Sequence, residues 1–256
     1  MSETIFMIHG MWAGSWVFEK YAPFFEERGY KCVAVDMLYH DVDPKAPPVP
    51  ELGTTGLQDF ADHLEEQIRK LPEPPIIMGH SMGGLLTQIL AARGLGKAYV
   101  LLTPGFPSGI MGLRWSVIRS MWEVLLLWGF WRKPFRPSFD SMVYSAFQNT
   151  PVDEQRRFFD RMVYDSGRAV FEIGFWLFDR GKGSAVDEAK VTAPMLVIGA
   201  GRDRTMPAAA VRDVAAKYAH VSEYHEFPEM AHNVMGEQGW EQVAGYAHDW
   251  LKKKGL

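Results

Sequence analysis

Cysteine occurs once in the 256 residues, so no internal disulfide can form. Cys32 lies in the run KCVAVDM, where it reads as a small buried hydrophobe and not as a reactive thiol. Excess charge of either sign is also missing. Lys and Arg number 27 against 31 Asp and Glu, a net −4, which gives no basic field for phosphate backbones or anionic lipid. A nucleic-acid or membrane-surface partner would need a local patch of cations. Long apolar runs are absent as well: MWEVLLLWGFW, residues 121–131, is bracketed by Arg119, Arg132 and Lys133. It is far shorter than the roughly 20 residues that cross a bilayer. The segment is expected to form a buried or interfacial helix, without stable membrane insertion. MSETIFMIHG has an acid where a signal peptide carries positive charge, and its apolar stretch is short, so the expected compartment is reducing and cytoplasmic. No cluster of His, Cys, Asp or Glu has metal-ligand spacing, and no glycine loop carries a P-loop lysine, so neither metal nor cofactor is expected.

What is present is an alternation. Thr4 to Ile8, Cys32 to Asp36, Pro75 to Met78, Ala98 to Leu102, Met195 to Gly199 and Ser222 to Phe227 are short apolar runs bounded by turn residues. Most read as strands buried on both faces. Amphipathic helices fall between them. Val17, Tyr21, Phe24 and Phe25 share one face, and Leu57, Phe60, Ala61, Leu64 and Ile68 another, behind a capping box of Thr55 and Gln58. Further stripes run through Val211, Val214, Ala215 and Tyr218, and through Trp240, Val243, Ala244, Ala247 and Leu251. Such alternation predicts an α/β fold with a mostly parallel sheet covered on both faces.

The alternation fails between residues 104 and 188, where Trp, Phe, Met and Arg recur at helical spacing. Because the strand pattern resumes at APMLVIGAGRD, this stretch reads as a helical cap inserted between two parts of one core, residues 1–103 and 189–256.

In PPIIMGHSMGGLLTQ, a short apolar run gives way to a helix across Gly79-His80-Ser81-Met82-Gly83. That is the G-x-S-x-G pattern of the nucleophile elbow, a turn so tight that only small residues fit two positions either side of the serine. A serine hydroxyl is a poor nucleophile near neutral pH and needs a base with a group to orient it. Asp203 follows the strand MLVIGAG, and His232 lies in the loop after the last strand. The order Ser, Asp, His is the one this elbow uses. Histidines 40, 63, 220, 225 and 248 compete for the base. His63 and His248 fall in helical patterns and His225 in a strand, so the loop position favours His232. Asp187 and Asp213 are weaker acids by the same argument. His9 reads as a support for its loop, and His80 as part of the pocket base without a chemical role.

HGMW after the first strand, GHSMGG, GAGRDRTMP and AHNV together resemble the α/β-hydrolase superfamily over nearly the whole chain outside the cap. HGMWAGSWVF is similar to the esterase and hydroxynitrile-lyase branch, whereas GHSMGG is equally at home in monoacylglycerol lipases and cofactor-free haloperoxidases. The resemblance implies a serine hydrolase without a cofactor, and it maps the oxyanion-binding amides onto Met11 and Met82. Two departures stand out: MLYHDVDP replaces the usual glycine-rich turn after VAVD, and two opening antiparallel strands are missing, which leaves a reduced sheet.

The expected activity is cleavage of a small carboxylic ester with an apolar acyl or aryl group through an acyl-enzyme. A hydroxynitrile-lyase-like reaction and a non-catalytic receptor on the same scaffold are the alternatives. Trp12, His80, Trp122 and Trp128 are candidate substrate contacts. Arg114, Arg119, Arg132, Lys133 and Arg136 read as a solvated face.

Overall fold

The computed structural model describes residues 2–256. Its main sheet holds β1 (Thr4–Ile8), β2 (Lys31–Val35), β3 (Ile76–His80), β4 (Ala98–Leu102), β7 (Met195–Ala200) and β8 (Ser222–Phe227). All neighbours pair in parallel, in the order β2-β1-β3-β4-β7-β8. Alternate side chains leave a strand on opposite faces, so each central strand feeds two cores. Ile5, Met7, Ile76 and Met78 pack with α1 (Tyr21–Glu26) and α9 (Trp240–Lys253). Phe6, Ile8 and Ile77 face α2 (Leu57–Ile68), α3 (Met82–Ala92) and α8 (Ala208–Lys217). The edge strands differ, as β2 and β8 are mostly half-buried because each has one open side.

The order of the strands places a crevice. Chain crossovers run from β1 outward to β2 on one side and from β3 outward to β4 on the other. The direction therefore reverses between β1 and β3, and the loops leaving their carboxyl ends diverge there. Those loops begin at His9 and Ser81.

Two local readings of the sequence need correction. The cap of α2 is Gly56, whose amide donates to Asp59 at 2.7 Å, while Thr55 turns back to donate to the Glu51 carbonyl. The Leu57 amide donates to buried Glu172 at 2.7 Å, so a distant carboxylate occupies the positive end of this helix. The expected helix over residues 121–131 is α4 (Trp115–Leu126), which stops before the left-handed Gly129 at φ 74°. Only part of it is buried, through Ser120 and Val124.

Between β4 and β7 the chain also forms α5 (Phe139–Ser145), α6 (Val152–Asp160) and α7 (Gly167–Gly174). A two-residue ribbon, β5 (Pro134–Phe135) with β6 (Asp165–Ser166), ties the segment together. Two residues are too few to leave a period in the sequence, which explains why no strand is legible there. None of the described helices is long and apolar enough to cross a membrane.

Candidate active site

Ser81 sits at φ 53°, ψ −122°, a backbone conformation that a residue with a Cβ enters only under constraint. The constraint is visible in its hydrogen bonds. The Ser81 amide donates to Leu102 O at 3.0 Å, and its carbonyl accepts from Gly84, Leu85 and Gly105 at 2.9, 3.2 and 2.7 Å. A Cβ on Gly79 would overlap the Gly83 carbonyl and the Thr87 hydroxyl, and one on Gly83 would overlap the carbonyls of Ile8 and His9. The two glycines thus let the start of α3 lie across β1 and β3. A Cβ on Gly10 would come within 2.9 Å of Ser81 Cβ, so the loop after β1 is pressed against the elbow.

Above this turn the sequence-predicted partners converge. His232 Nε2 lies 3.0 Å from Ser81 Oγ, and His232 Nδ1 lies 2.7 Å from Asp203 Oδ2. The other carboxylate oxygen, Oδ1, accepts the amides of Thr205 and Met206 at 2.7 Å each, which fixes the plane of the acid. Ser81, Asp203 and His232 are all buried. With Nδ1 donating to Asp203, the unprotonated Nε2 faces the serine hydroxyl, the arrangement in which that nitrogen takes a proton.

The loop carrying His232 is held by His80, read from the sequence only as part of the pocket base and a candidate substrate contact, and by Thr103 and Glu237, which carry no sequence signal. The His232 carbonyl accepts from His80 Nε2 at 2.9 Å and from the Thr103 hydroxyl at 3.3 Å. Just before it, the Ala231 amide donates to both oxygens of Glu237, at 2.9 and 3.1 Å. Burial raises the Glu237 carboxyl above its ordinary pKa, an effect the Ala231 amide partly offsets. Burial, and then the neighbouring His232, push His80 down to about 3. His80 is therefore neutral, protonated on the nitrogen that donates to the carbonyl.

On the opposite side lies the loop with Met11 and Trp12. His9 Nε2 accepts the Met37 amide at 3.1 Å and its Nδ1 meets the Gly10 carbonyl at 2.7 Å. Burial, and then nearby His40, lower it to about 4. His40 is different. Its Nδ1 faces the Leu38 carbonyl at 2.9 Å and its Nε2 faces Asp165 Oδ2 at 3.1 Å, so both nitrogens meet acceptors, an arrangement that favours the protonated ring. Burial opposes that charge, but the Asp165 carboxylate with its hydrogen bond, aided by the Leu38 carbonyl and Asp36, outweighs it and raises the pKa. Asp165 Oδ2 also accepts the Trp12 amide at 2.8 Å, where Trp12 stands at φ 60°. No sequence signal links His40 to Asp165, which lie 125 residues apart and meet only through the fold.

A cavity of about 380 Å³ opens beside Ser81 and His232. Trp12 and His80, two of the candidate substrate contacts, line it, together with Met11 and Met82, whose amides the resemblance assigns to the oxyanion, and with Phe106, Met121 and Phe175. Apart from histidine, no ionisable side chain among the described residues does so. Trp122 and Trp128 do not reach it. Trp122 lies on the outer face of α4, where it lines a separate groove with Arg119 and Tyr144, and Trp128, past the end of that helix, packs edge-on against Trp131 and is 85% exposed. Helical spacing gives the face of a residue, but not which face meets the sheet.

A profile of the alpha/beta hydrolase family matches residues 5–245. Polyneuridine aldehyde esterase of Rauvolfia serpentina is 31% identical over 81 residues, 31% of this chain and 29% of that protein. The (S)-hydroxynitrile lyase of Manihot esculenta is 31% identical over 93 residues, 36% of this chain and 34% of that protein. The matched stretches thus span only 29% and 34% of these curated relatives. A crystal structure of polyneuridine aldehyde esterase superposes with a TM-score of 0.72 at 17% identity, covering 97% of this chain and 99% of that one. Tomato methylketone synthase I, in complex with 2-tridecanone, gives 0.71 at 15% identity over 99% of both chains. At such identities the likeness is one of fold.

Proposed function

Since the chain belongs to the α/β-hydrolase family, we propose that it is a serine hydrolase that cleaves uncharged carboxylic esters. One observation carries the reading: the hydrogen-bonded path from Asp203 through His232 to Ser81, at 2.7 and 3.0 Å, above a cavity without a charged wall. Esterases among the relatives support it. His232 takes the proton of Ser81 as Oγ attacks the ester carbonyl, and Asp203 holds the imidazole and stabilises the cation that forms. The amides of Met11 and Met82 bind the developing oxyanion, and His232 then protonates the leaving alcohol. Water, deprotonated by the same ring, attacks the acyl-enzyme and frees the acid. Residues 104–188 serve as the cap: Met121 and Phe175 form walls that admit apolar groups and exclude water.

A hydroxynitrile lyase among the relatives keeps a second reaction in view, proton transfer by the same residues without an acyl-enzyme. The cavity wall favours the ester, since it carries no cation to hold a departing cyanide. A receptor role fits poorly with a serine poised on a base. Turnover of p-nitrophenyl esters from acetate to palmitate, with wild type and Ser81→Ala, tests the reading. Short to medium acyl groups are expected to be preferred, with a loss of about 10³-fold or more in kcat for Ser81→Ala. Equal turnover by the variant would sink the proposal, and cyanohydrin cleavage without ester turnover would transfer the site to the lyase reading.

A further inference from the structure

The outer face of residues 111–133 is unlike the exterior expected of a chain with net charge −4. Trp115, Leu126 and Trp128 are 76%, 74% and 85% exposed, with half-exposed Trp122 beside them. Across the cavity mouth, Leu177 and Phe178 are 64% and 74% exposed. Large apolar side chains left in water at this density mark a surface with a partner.

Charge identifies the partner. Within residues 111–133 every exposed charged side chain is a cation: Arg114, Arg119, Arg132 and Lys133. The one acid, Glu123, is half-buried and accepts the amide and hydroxyl of Ser138 at 2.8 and 2.5 Å. On the opposite rim Arg180 and Lys182 are exposed, whereas Asp179 is buried against Arg168 at 2.6 Å. Tryptophan and leucine flanked mostly by cations, with exposed Asp140 across the groove beside Trp122, suit an anionic lipid interface: apolar groups enter below the headgroups, indoles sit at their level and guanidinium groups meet phosphates. A second copy of the chain suits the face less well. A two-fold contact would set the same cations against themselves.

Position supplies a second argument. Met111, Leu113, Leu177 and Phe178 are exposed and also line the Ser81 cavity, so its mouth opens through this apolar face. We propose that the face formed by α4, the residues flanking it and the Leu177–Phe178 rim docks on an anionic lipid surface, with the cavity opening toward the apolar layer. On the esterase reading, an amphiphilic ester then reaches Ser81 without passing through bulk water. The docking itself does not depend on that reading.

Flotation of the full chain with phosphatidylcholine vesicles, with and without phosphatidylglycerol, tests the inference. Wild type and Ser81→Ala are expected to float equally with the anionic vesicles, and raised salt should weaken the binding. Trp115→Gln/Leu126→Gln/Trp128→Gln removes exposed side chains that do not line the cavity. It should lower partitioning by tenfold or more and leave hydrolysis of a water-soluble ester unchanged. Arg114→Glu/Arg132→Glu should abolish the preference for phosphatidylglycerol, given about fivefold per cation. Absence of wild-type binding to anionic vesicles, or equal binding by the triple variant, would overturn the docking. So would self-association that the triple substitution abolishes and vesicles do not displace, since a second copy would then cover the face.

Discussion

His40 and Asp165 form an ion pair sealed from water, with Nε2 3.1 Å from Oδ2, and that same oxygen accepts the amide of Trp12 at 2.8 Å. Trp12 follows Met11 directly, so the pair sets the loop whose amide is proposed to bind the oxyanion. Asp165→Ala leaves the Trp12 and Ser166 amides without their acceptor, and burial, no longer opposed by the carboxylate, then drives the proton off His40. Each buried donor left unsatisfied typically costs about 1–3 kcal/mol. We expect a loss of that size in urea denaturation. We also expect a fall in kcat larger than any rise in KM, because a displaced amide weakens transition-state binding more than substrate binding. An unchanged kcat in the folded variant would remove the pair from any role in positioning.

The same pair sets an alkaline limit on stability. The folded pKa of His40 is raised above 6.5, chiefly by Asp165 acting against burial. Its contribution is complete below the unfolded value and is lost as pH rises through the folded one, where the native state holds a proton that the unfolded chain has released. Melting temperature should therefore decline above neutrality in wild type, and less so in His40→Gln.

His80 and His9 act in the opposite sense. Their folded pKa values of about 3 and about 4 lie below the ordinary 6.5. Between these limits the unfolded chain binds protons that the folded chain refuses, so stability present above pH 6.5 falls as pH drops. Each group contributes a slope of up to about 1.4 kcal/mol per pH unit. Urea titrations at pH 7 and 5 should show this loss, and His80→Gln should remove part of it. An identical pH slope in that variant would count against a neutral His80.

Why some of this could be read from the sequence and some could not follows from the range of the interactions. The elbow is legible because Gly79, Ser81 and Gly83 answer a steric demand within five consecutive residues. Asp203 is legible because it follows the plain apolar run of β7, and His232 because it lies in the loop after the last strand, although that strand, SEYHEF, is polar and half-buried. The pairing of His40 with Asp165 joins residues 125 positions apart, the second of them within the stretch between β4 and β7, and Glu237 in VMGEQGW looks like any solvated acid until the Ala231 amide is seen against it. Trp122 and Trp128 fail for another reason. Apolar residues normally signal burial, and these two lie on a face that the fold leaves uncovered.

Glycine positions allow a paired prediction. Gly83→Ala places a methyl group against the carbonyls of Ile8 and His9, which belong to β1 and its exit and cannot retreat without breaking the sheet. Gly245→Ala, inside α9, meets no heavy atom within 4 Å. The first should lose soluble folded protein or melt far below wild type. The second should gain about 0.5–1 kcal/mol by relieving the helix of glycine. Equal tolerance of both substitutions would contradict the close crossing of α3 over β1.

Asp203→Asn tests how the base is oriented. Oδ1 accepts two amides, from Thr205 and Met206, so an asparagine must turn its carbonyl oxygen toward them. Its NH₂ then faces His232 Nδ1, which has to accept, and the ring proton moves to Nε2, against the Ser81 hydroxyl. The histidine keeps its place and loses its capacity as a base. We expect a fall in kcat of about 10³- to 10⁴-fold, with a melting temperature near that of wild type because the hydrogen bonds are conserved in number. Activity should recover in part as rising pH removes a proton from the serine without help. A reduction smaller than tenfold would mean that the 2.7 Å contact does not govern the tautomer.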